Sequence, residues 1–277
     1  MERYFITTGK SKIHVTEWGN ENNPVIFCLH GLGSTSLSFI EIAEQLKDDY
    51  RIVAIDSPGH GKTSPFEHAE EYEMYSLVDW IHNILKQLGI DQFYFLSHSW
   101  GSSIALFYIK KYQTKVKSTI LIDGGYQTKR SQDQTMEEEA AFYRRDFDEY
   151  VFNDWVSFIK SEKEAYTRWS PLLERAVMDL GIEKDNKVHW HTSGITANHI
   201  IKAMYKDETE DVYEDLSPNI ILLRATLPKS WDEYRSKTST IFTQKTGGIV
   251  KQVPNTTHML HWDKPEVVVE EIQKNWV

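Results

Sequence analysis

Phe93-Tyr94-Phe95-Leu96-Ser97-His98-Ser99-Trp100-Gly101-Ser102-Ser103 is the stretch whose reading decides the fold. A nearly continuous apolar run enters Ser99 and small residues leave it, so a strand covered on both faces passes directly into a helix. A serine at that junction is thrust away from the sheet while its own backbone sits in a strained, positive-φ turn. Such a turn tolerates only small side chains two residues to either side. Ser97 and Gly101 meet the demand, with serine standing where glycine is usual. The helix that follows would bring its N-terminal N–H groups and positive dipole end beside any negative charge that develops at Ser99. A serine that only caps a helix after a strand would occupy the same place.

Outward from this junction the pattern repeats. Val25–Leu29 and Ile52–Ile55 are apolar runs of the same kind, Thr119–Ile122 and Ile220–Leu223 read as two more buried strands, and Ile249–Val253 as a last one. Arg3–Thr7 and Lys12–Trp18, separated by Gly9-Lys10, read as an opening hairpin. Between the runs lie helical patterns. Tyr75, Val78, Ile81, Leu85 and Leu88 recur at three- and four-residue steps and stop at Gly89, while Ile104, Leu106, Phe107 and Ile109 follow Ser99. Strand alternating with helix predicts an α/β fold with a mainly parallel, doubly wound sheet. The alternation breaks once, between Asp123 and Pro218, where charged, aromatic-rich helical stretches carry Trp155, Trp169 and Trp190. Long excursions in compact domains tend to be functional, so residues 126–215 are expected to form a helical lid between the sixth and seventh strands. The core then comprises residues 1–125 and 216–277.

Composition narrows the function. With 277 residues, 40% of them hydrophobic, the chain can build one large core with a modest inserted lobe. Its net charge is −10, with no basic stripe, which opposes nucleic-acid binding. One cysteine, Cys28, sits in an apolar run and cannot form an internal disulfide, so a buried, inert thiol and a reducing, cytoplasmic setting are expected. No segment approaches the ~18 apolar residues of a membrane span, and no secretory signal is expected at the N-terminus.

Other segments bring chemistry to Ser99. In Leu29-His30-Gly31-Leu32-Gly33-Ser34 the small residues let the Leu32 N–H point into the site, where it would pair with the Trp100 N–H as a two-donor oxyanion hole. His30 is read as a brace for that loop. Gly61-Lys62-Thr63 is no phosphate loop, because Asp56 stands where the required glycine would be. After the last strand comes His258, with His261 as its competitor. An imidazole at the end of a neighbouring strand can shuttle the Ser99 proton near neutrality, and His258 lies nearer the strand end.

Together these residues resemble the α/β-hydrolase superfamily, specifically its lid-bearing, esterase-like branch. The matches run from His30-Gly31 through Asp56-Ser57-Pro58-Gly59-His60-Gly61 to His258 and Pro265. The resemblance implies an eight-stranded sheet with helices on both faces, a Ser–acid–His triad, and no cofactor or metal. Ser99 stands where haloalkane dehalogenases and epoxide hydrolases place Asp. Ser99-Trp100-Gly101-Ser102 also resembles proline iminopeptidases, but their Gly-Gly-Pro loop is missing at Gly31-Leu32-Gly33. Two carboxylates compete as the acid: Asp123, ending the sixth strand, and Asp232, well beyond the seventh. Asp123 is preferred, since Asp232 looks like the start of a helix. The expected reaction is hydrolysis of a small carboxylic ester or lactone, with an apolar group under the aromatic lid. C–C bond hydrolysis, cofactor-free perhydrolysis and a low-turnover ligand receptor remain compatible with the same fold.

Overall fold

The structure, a computed structural model, describes residues 1–9, 11–217 and 219–276. Lys10, in the expected hairpin turn, and Pro218, at the expected end of the excursion, lie outside the described residues. Six strands precede the excursion: β1 Glu2–Thr8, β2 Ser11–Trp18, β3 Val25–Leu29, β4 Arg51–Ile55, β5 Phe93–His98 and β6 Val116–Ile122. Three short ones lie inside it, β7 Val151–Phe152, β8 Gly181–Lys184 and β9 Lys187–Trp190. After it come β10 Ile220–Ala225 and β11 Ile249–Val253.

Eight of these strands form one sheet in the order β1-β2-β4-β3-β5-β6-β10-β11. Only the β1–β2 and β2–β4 pairings are antiparallel; the rest are parallel. The alternation of side chains across a strand explains why β3 reads as continuously apolar. Phe27 and Leu29 join the core on one face of the sheet, Ile26 and Cys28 the core on the other. Burial raises the Cys28 thiol pKa well above its ordinary value, so it stays a protonated, inert filler.

Helices α1 (Ile40–Leu46), α2 (Met74–Gln87) and α3 (Trp100–Tyr112) cover the sheet. In α2 the buried set is Met74, Leu77, Val78, Ile81, Ile84 and Leu85, and the chain leaves the helix through Gly89 at φ +69°. Tyr75, expected on this inner face, is instead largely exposed and sits edge-on to Phe107. Val78, Ile81 and Leu85 face inward as expected, and the stripe is wider than the sequence reading, taking in Met74, Leu77 and Ile84 as well. Helix α3 is buried at every position from Trp100 to Ile109, the environment of a helix clamped between sheet and neighbouring helices.

The excursion is not purely helical, which corrects the sequence reading. Helices α4 (Met136–Glu149), α5 (Trp155–Ala165), α6 (Pro171–Met178) and α7 (Gly194–Lys206) share it with a three-stranded antiparallel sheet, β7-β9-β8. These strands run two to four residues. Their hairpin is polar, Glu183-Lys184-Asp185-Asn186-Lys187, and the tight turn holds Asp185 and Asn186 at φ 53° and 58°. No apolar run announces strands that short and that wet. After the excursion, α8 (Asp232–Thr246), α9 (Leu260–Asp263) and α10 (Pro265–Asn275) complete the chain, the last opening on a proline at its first turn. Among the described residues no helix is long and apolar enough to cross a membrane.

Phe27 anchors one core face: it is fully buried, with ring centroids 5.6 Å from Phe93 and 5.5 Å from Phe95. Phe27→Ala should lower the free energy of urea unfolding by about 3–5 kcal/mol. A loss below about 1 kcal/mol would contradict this packing.

Candidate active site

Ser99 closes β5 and caps α3 with φ 52° and ψ −121°, a backbone conformation that a residue with a Cβ adopts only under constraint. The constraint is visible on every side. The Ser99 N–H donates to the Ile122 carbonyl at 3.1 Å, and Ser102 N–H donates back to the Ser99 carbonyl at 2.9 Å. Three glycines give the turn its room. A Cβ on Gly31 would lie 2.9 Å from the Ser99 Cβ, one on Gly124 would fall 2.3 Å from the Ser99 carbonyl oxygen, and one on Gly101 would strike the Leu29 and His30 carbonyls. Ser97, the residue standing for a glycine, fits because it turns inward. Its Oγ lies 3.2 Å from Ser102 Oγ, and the Ser102 hydroxyl donates to the Ser97 carbonyl.

Ser99, His258 and Asp123 meet in one hydrogen-bonded line. Ser99 Oγ lies 2.8 Å from His258 Nε2, and His258 Nδ1 lies 2.8 Å from Asp123 Oδ2. Because Nδ1 faces a carboxylate it carries the proton, leaving Nε2 to accept from the serine hydroxyl. Asp123 is fully buried at the end of β6, and both its oxygens are engaged. Oδ1 accepts from the Ala225 N–H at 3.0 Å and the Tyr126 hydroxyl at 2.8 Å; Oδ2 also faces Arg235 Nη2 at 3.3 Å. Burial alone would raise this carboxyl pKa. The His258 hydrogen bond and charge, the Arg235 guanidinium and the Ala225 N–H outweigh burial and hold it below the ordinary carboxylate value.

The other candidate residues lie elsewhere. Asp232, the alternative acid, is turned toward Arg224, whose Nη2 donates to it at 2.9 Å. His261, the alternative base, is buried and bonds Ser38 Oγ at 2.8 Å. His30 braces its loop: its Nδ1 donates to the Gly31 carbonyl and its Nε2 accepts the Ser57 N–H. Asp56 takes N–H groups from Ser36 and Lys62, and Gly61 must be glycine because a Cβ there would lie 2.2 Å from Asp56 Oδ2. Leu32 and Trp100 both line the cavity that opens over Ser99, a space of about 610 Å³ also bordered by Asp123 and His258.

Sequence reading missed three contributors. Arg235, 112 residues from Asp123, carried no local signal. Gly124 was visible in Asp123-Gly124-Gly125 but has meaning only once Ser99 lies against it. His98 donates its Nε2–H to the His258 carbonyl at 2.9 Å, so adjacent residues 98 and 99 grip His258 by backbone and by ring. Among the described residues no cluster of His, Cys, Asp and Glu could hold a metal ion.

A family model described as alpha/beta hydrolase fold matches residues 24–219. Over 112 residues the chain is 29% identical to epoxide hydrolase 4 of Mus musculus, covering 40% of this chain and 31% of that one. It is 37% identical over 101 residues to proline iminopeptidase of Lactobacillus delbrueckii subsp. lactis, covering 35% and 34%. These matches span about a third of those relatives' length. Across 99% of both chains the fold superposes on a thioesterase domain from the curacin biosynthetic pathway, with a TM-score of 0.79 and 18% identity.

Three imidazoles around the site are buried and held neutral. Desolvation takes His60 and His261 down to about 3, and it pushes His98 well below its ordinary value, aided by the neighbouring imidazoles of His261 and His258. The unfolded chain accepts these protons near 6.5. Below that pH the unfolded state binds protons the fold refuses, so stability present at neutral pH is lost progressively down to about pH 3. Urea unfolding should therefore show a loss of about 2 kcal/mol for each of His60 and His261 between pH 7 and pH 5. An unfolding free energy that stays flat across that interval would contradict the burial of these rings.

Proposed function

The chain belongs to the alpha/beta hydrolase family, and from that premise we propose that it is a serine hydrolase cleaving a small carboxylic ester or lactone through an acyl-enzyme on Ser99. The observation that carries this reading is the unbroken line Ser99 Oγ–His258 Nε2 and His258 Nδ1–Asp123 Oδ2, each step 2.8 Å. Ser99 Oγ attacks the carbonyl carbon as His258 Nε2 takes its proton. The imidazolium so formed is stabilised by buried, anionic Asp123, whose depressed pKa keeps it from taking that proton itself. Charge on the carbonyl oxygen falls to the N–H groups of Leu32 and Trp100. The start of α3 and the close approach of the Gly31 loop to Ser99 support that assignment. His258 then returns the proton to the leaving alcohol, which in a lactone stays tethered to the acyl group. A water deprotonated by His258 releases the carboxylic acid and restores Ser99.

A serine at position 99, rather than an aspartate, favours this chemistry over an alkyl-enzyme route of the epoxide hydrolase kind. The excursion acts as a lid in this reading. Phe142 and Tyr143 on α4 and Ile201 and Met204 on α7 wall the cavity from above, which supports an acyl or alcohol group with apolar surface.

A fluorophosphonate probe should label Ser99 covalently, and Ser99→Ala should abolish both labelling and hydrolysis of p-nitrophenyl butyrate. Asp123→Asn should lower kcat by roughly 10⁴-fold, as loss of a triad acid does, while Asp232→Asn stays near the parent rate. Parent-like turnover in Asp123→Asn, or collapse in Asp232→Asn, would reverse the assignment of the acid.

A further inference from the structure

Asp123 has four partners, and three of them already complete its hydrogen bonding. Oδ1 accepts from the Ala225 N–H at 3.0 Å and the Tyr126 hydroxyl at 2.8 Å, and Oδ2 faces His258 Nδ1 at 2.8 Å. The fourth, Arg235 Nη2, stands 3.3 Å from Oδ2, the longest of these contacts. A buried guanidinium is costly to desolvate, and the Nε of this one has no acceptor among the described residues. What Arg235 brings that Ala225, Tyr126 and His258 lack is a permanent positive charge.

That charge is fixed in place. Arg235 projects from α8, its Nη1 donates to the Leu227 carbonyl, and its guanidinium lies 6.0 Å from the centre of the Trp231 ring. Its Nη2 and His258 Nδ1 approach the same carboxylate oxygen, close enough for charge on one to act strongly on the other inside the fold. No other group around His258 substitutes for it. His98, whose ring centre is 4.8 Å from that of His258, and His261 are both buried and held neutral. Burial and Asp123 raise the pKa of Tyr126, which stays a neutral phenol. Asp263 is bonded to Thr257 and Thr167, and Lys129 and Glu139, in the same cavity wall, are paired with each other.

A buried carboxylate facing only an imidazole binds a proton tightly, and the two groups share it. The imidazole would then rest as an imidazolium, with no lone pair on Nε2 for the Ser99 hydroxyl. A guanidinium on the same oxygen repels that proton. We propose that Arg235 is a positioning residue that acts through Asp123: by countering the carboxylate charge it keeps His258 a free base near neutral pH, ready to accept the Ser99 proton. The inference rests on the serine hydrolase reading and adds a residue to it.

The test follows inactivation of Ser99 by a fluorophosphonate as a function of pH in the whole chain, a rate that depends on the free imidazole and requires no knowledge of the substrate. In the parent the rate should climb with pH to a plateau as the Asp123–His258 pair loses its proton. In Arg235→Met, which is uncharged, the midpoint of that climb should move up by roughly one pH unit or more. Arg235→Lys keeps the charge and should bring the midpoint most of the way back. Thermal unfolding checks that each variant folds, and Arg235→Gln takes the place of a methionine variant that does not. A side chain that only supports the fold would lower the rate at every pH and leave the midpoint alone. An unmoved midpoint in the uncharged variant, or an equal shift in Arg235→Lys, overturns the inference and leaves the hydrolase reading standing. A parent whose Ser99 the probe modifies at no pH overturns both.

Discussion

The backbone of Ser99 is the constraint on which the rest of the site depends. A positive φ at a residue with a side chain persists only when its surroundings over-determine it. Here the surroundings are a hydrogen bond to the neighbouring strand, the first turn of α3, and three glycines whose missing side chains let other chain segments press against the turn. The result is a hydroxyl held clear of the sheet at the mouth of a cavity, with its direction fixed before any ligand arrives. Preorganisation of this kind does not have to be reassembled during a reaction.

His258 is positioned by the same logic from two directions. Its ring bridges Ser99 and Asp123, and its carbonyl is held by His98, the residue next to the serine. Asp123 in turn is anchored by strand β10 through Ala225 and by helix α8 through Arg235. Elements distant in sequence thus converge on one imidazole. The surrounding histidines contribute by being neutral: His98, His261 and His60 are packed as uncharged rings, so the charge in direct contact with the His258 ring is that of Asp123, itself paired with Arg235. Acid pH works against this arrangement, because the unfolded chain takes up the protons that packing denies.

Much of this was legible in the chain itself. The apolar runs that became the central parallel strands, the small residues around Ser99 and the position of His258 after β11 are local patterns with direct physical causes. Asp123 directly follows a strand whereas Asp232 opens a helix, and geometry brings Asp123 to the imidazole while Asp232 pairs with Arg224. What escaped was long-range or unpatterned. The β7-β9-β8 sheet is built from strands too short and polar to show a period, and the inner stripe of α2 leaves Tyr75 outside while adding Met74, Leu77 and Ile84 to the expected Val78, Ile81 and Leu85. Arg235 acquires its role only when separate segments fold against one cavity. The aromatic content of the excursion suggested an apolar pocket, whereas the cavity also has a charged wall.

The central claim is that Ser99, His258 and the two proposed oxyanion donors face one reacting carbon. A crystal structure of the protein phosphonylated by a serine-directed fluorophosphonate tests it most directly. The account predicts continuous density from Ser99 Oγ to phosphorus, with the phosphonyl oxygen about 3 Å from both the Leu32 and Trp100 nitrogens and His258 still bonded to Asp123. An adduct on another residue, or a phosphonyl oxygen pointing away from both N–H groups with His258 withdrawn from the site, would contradict it.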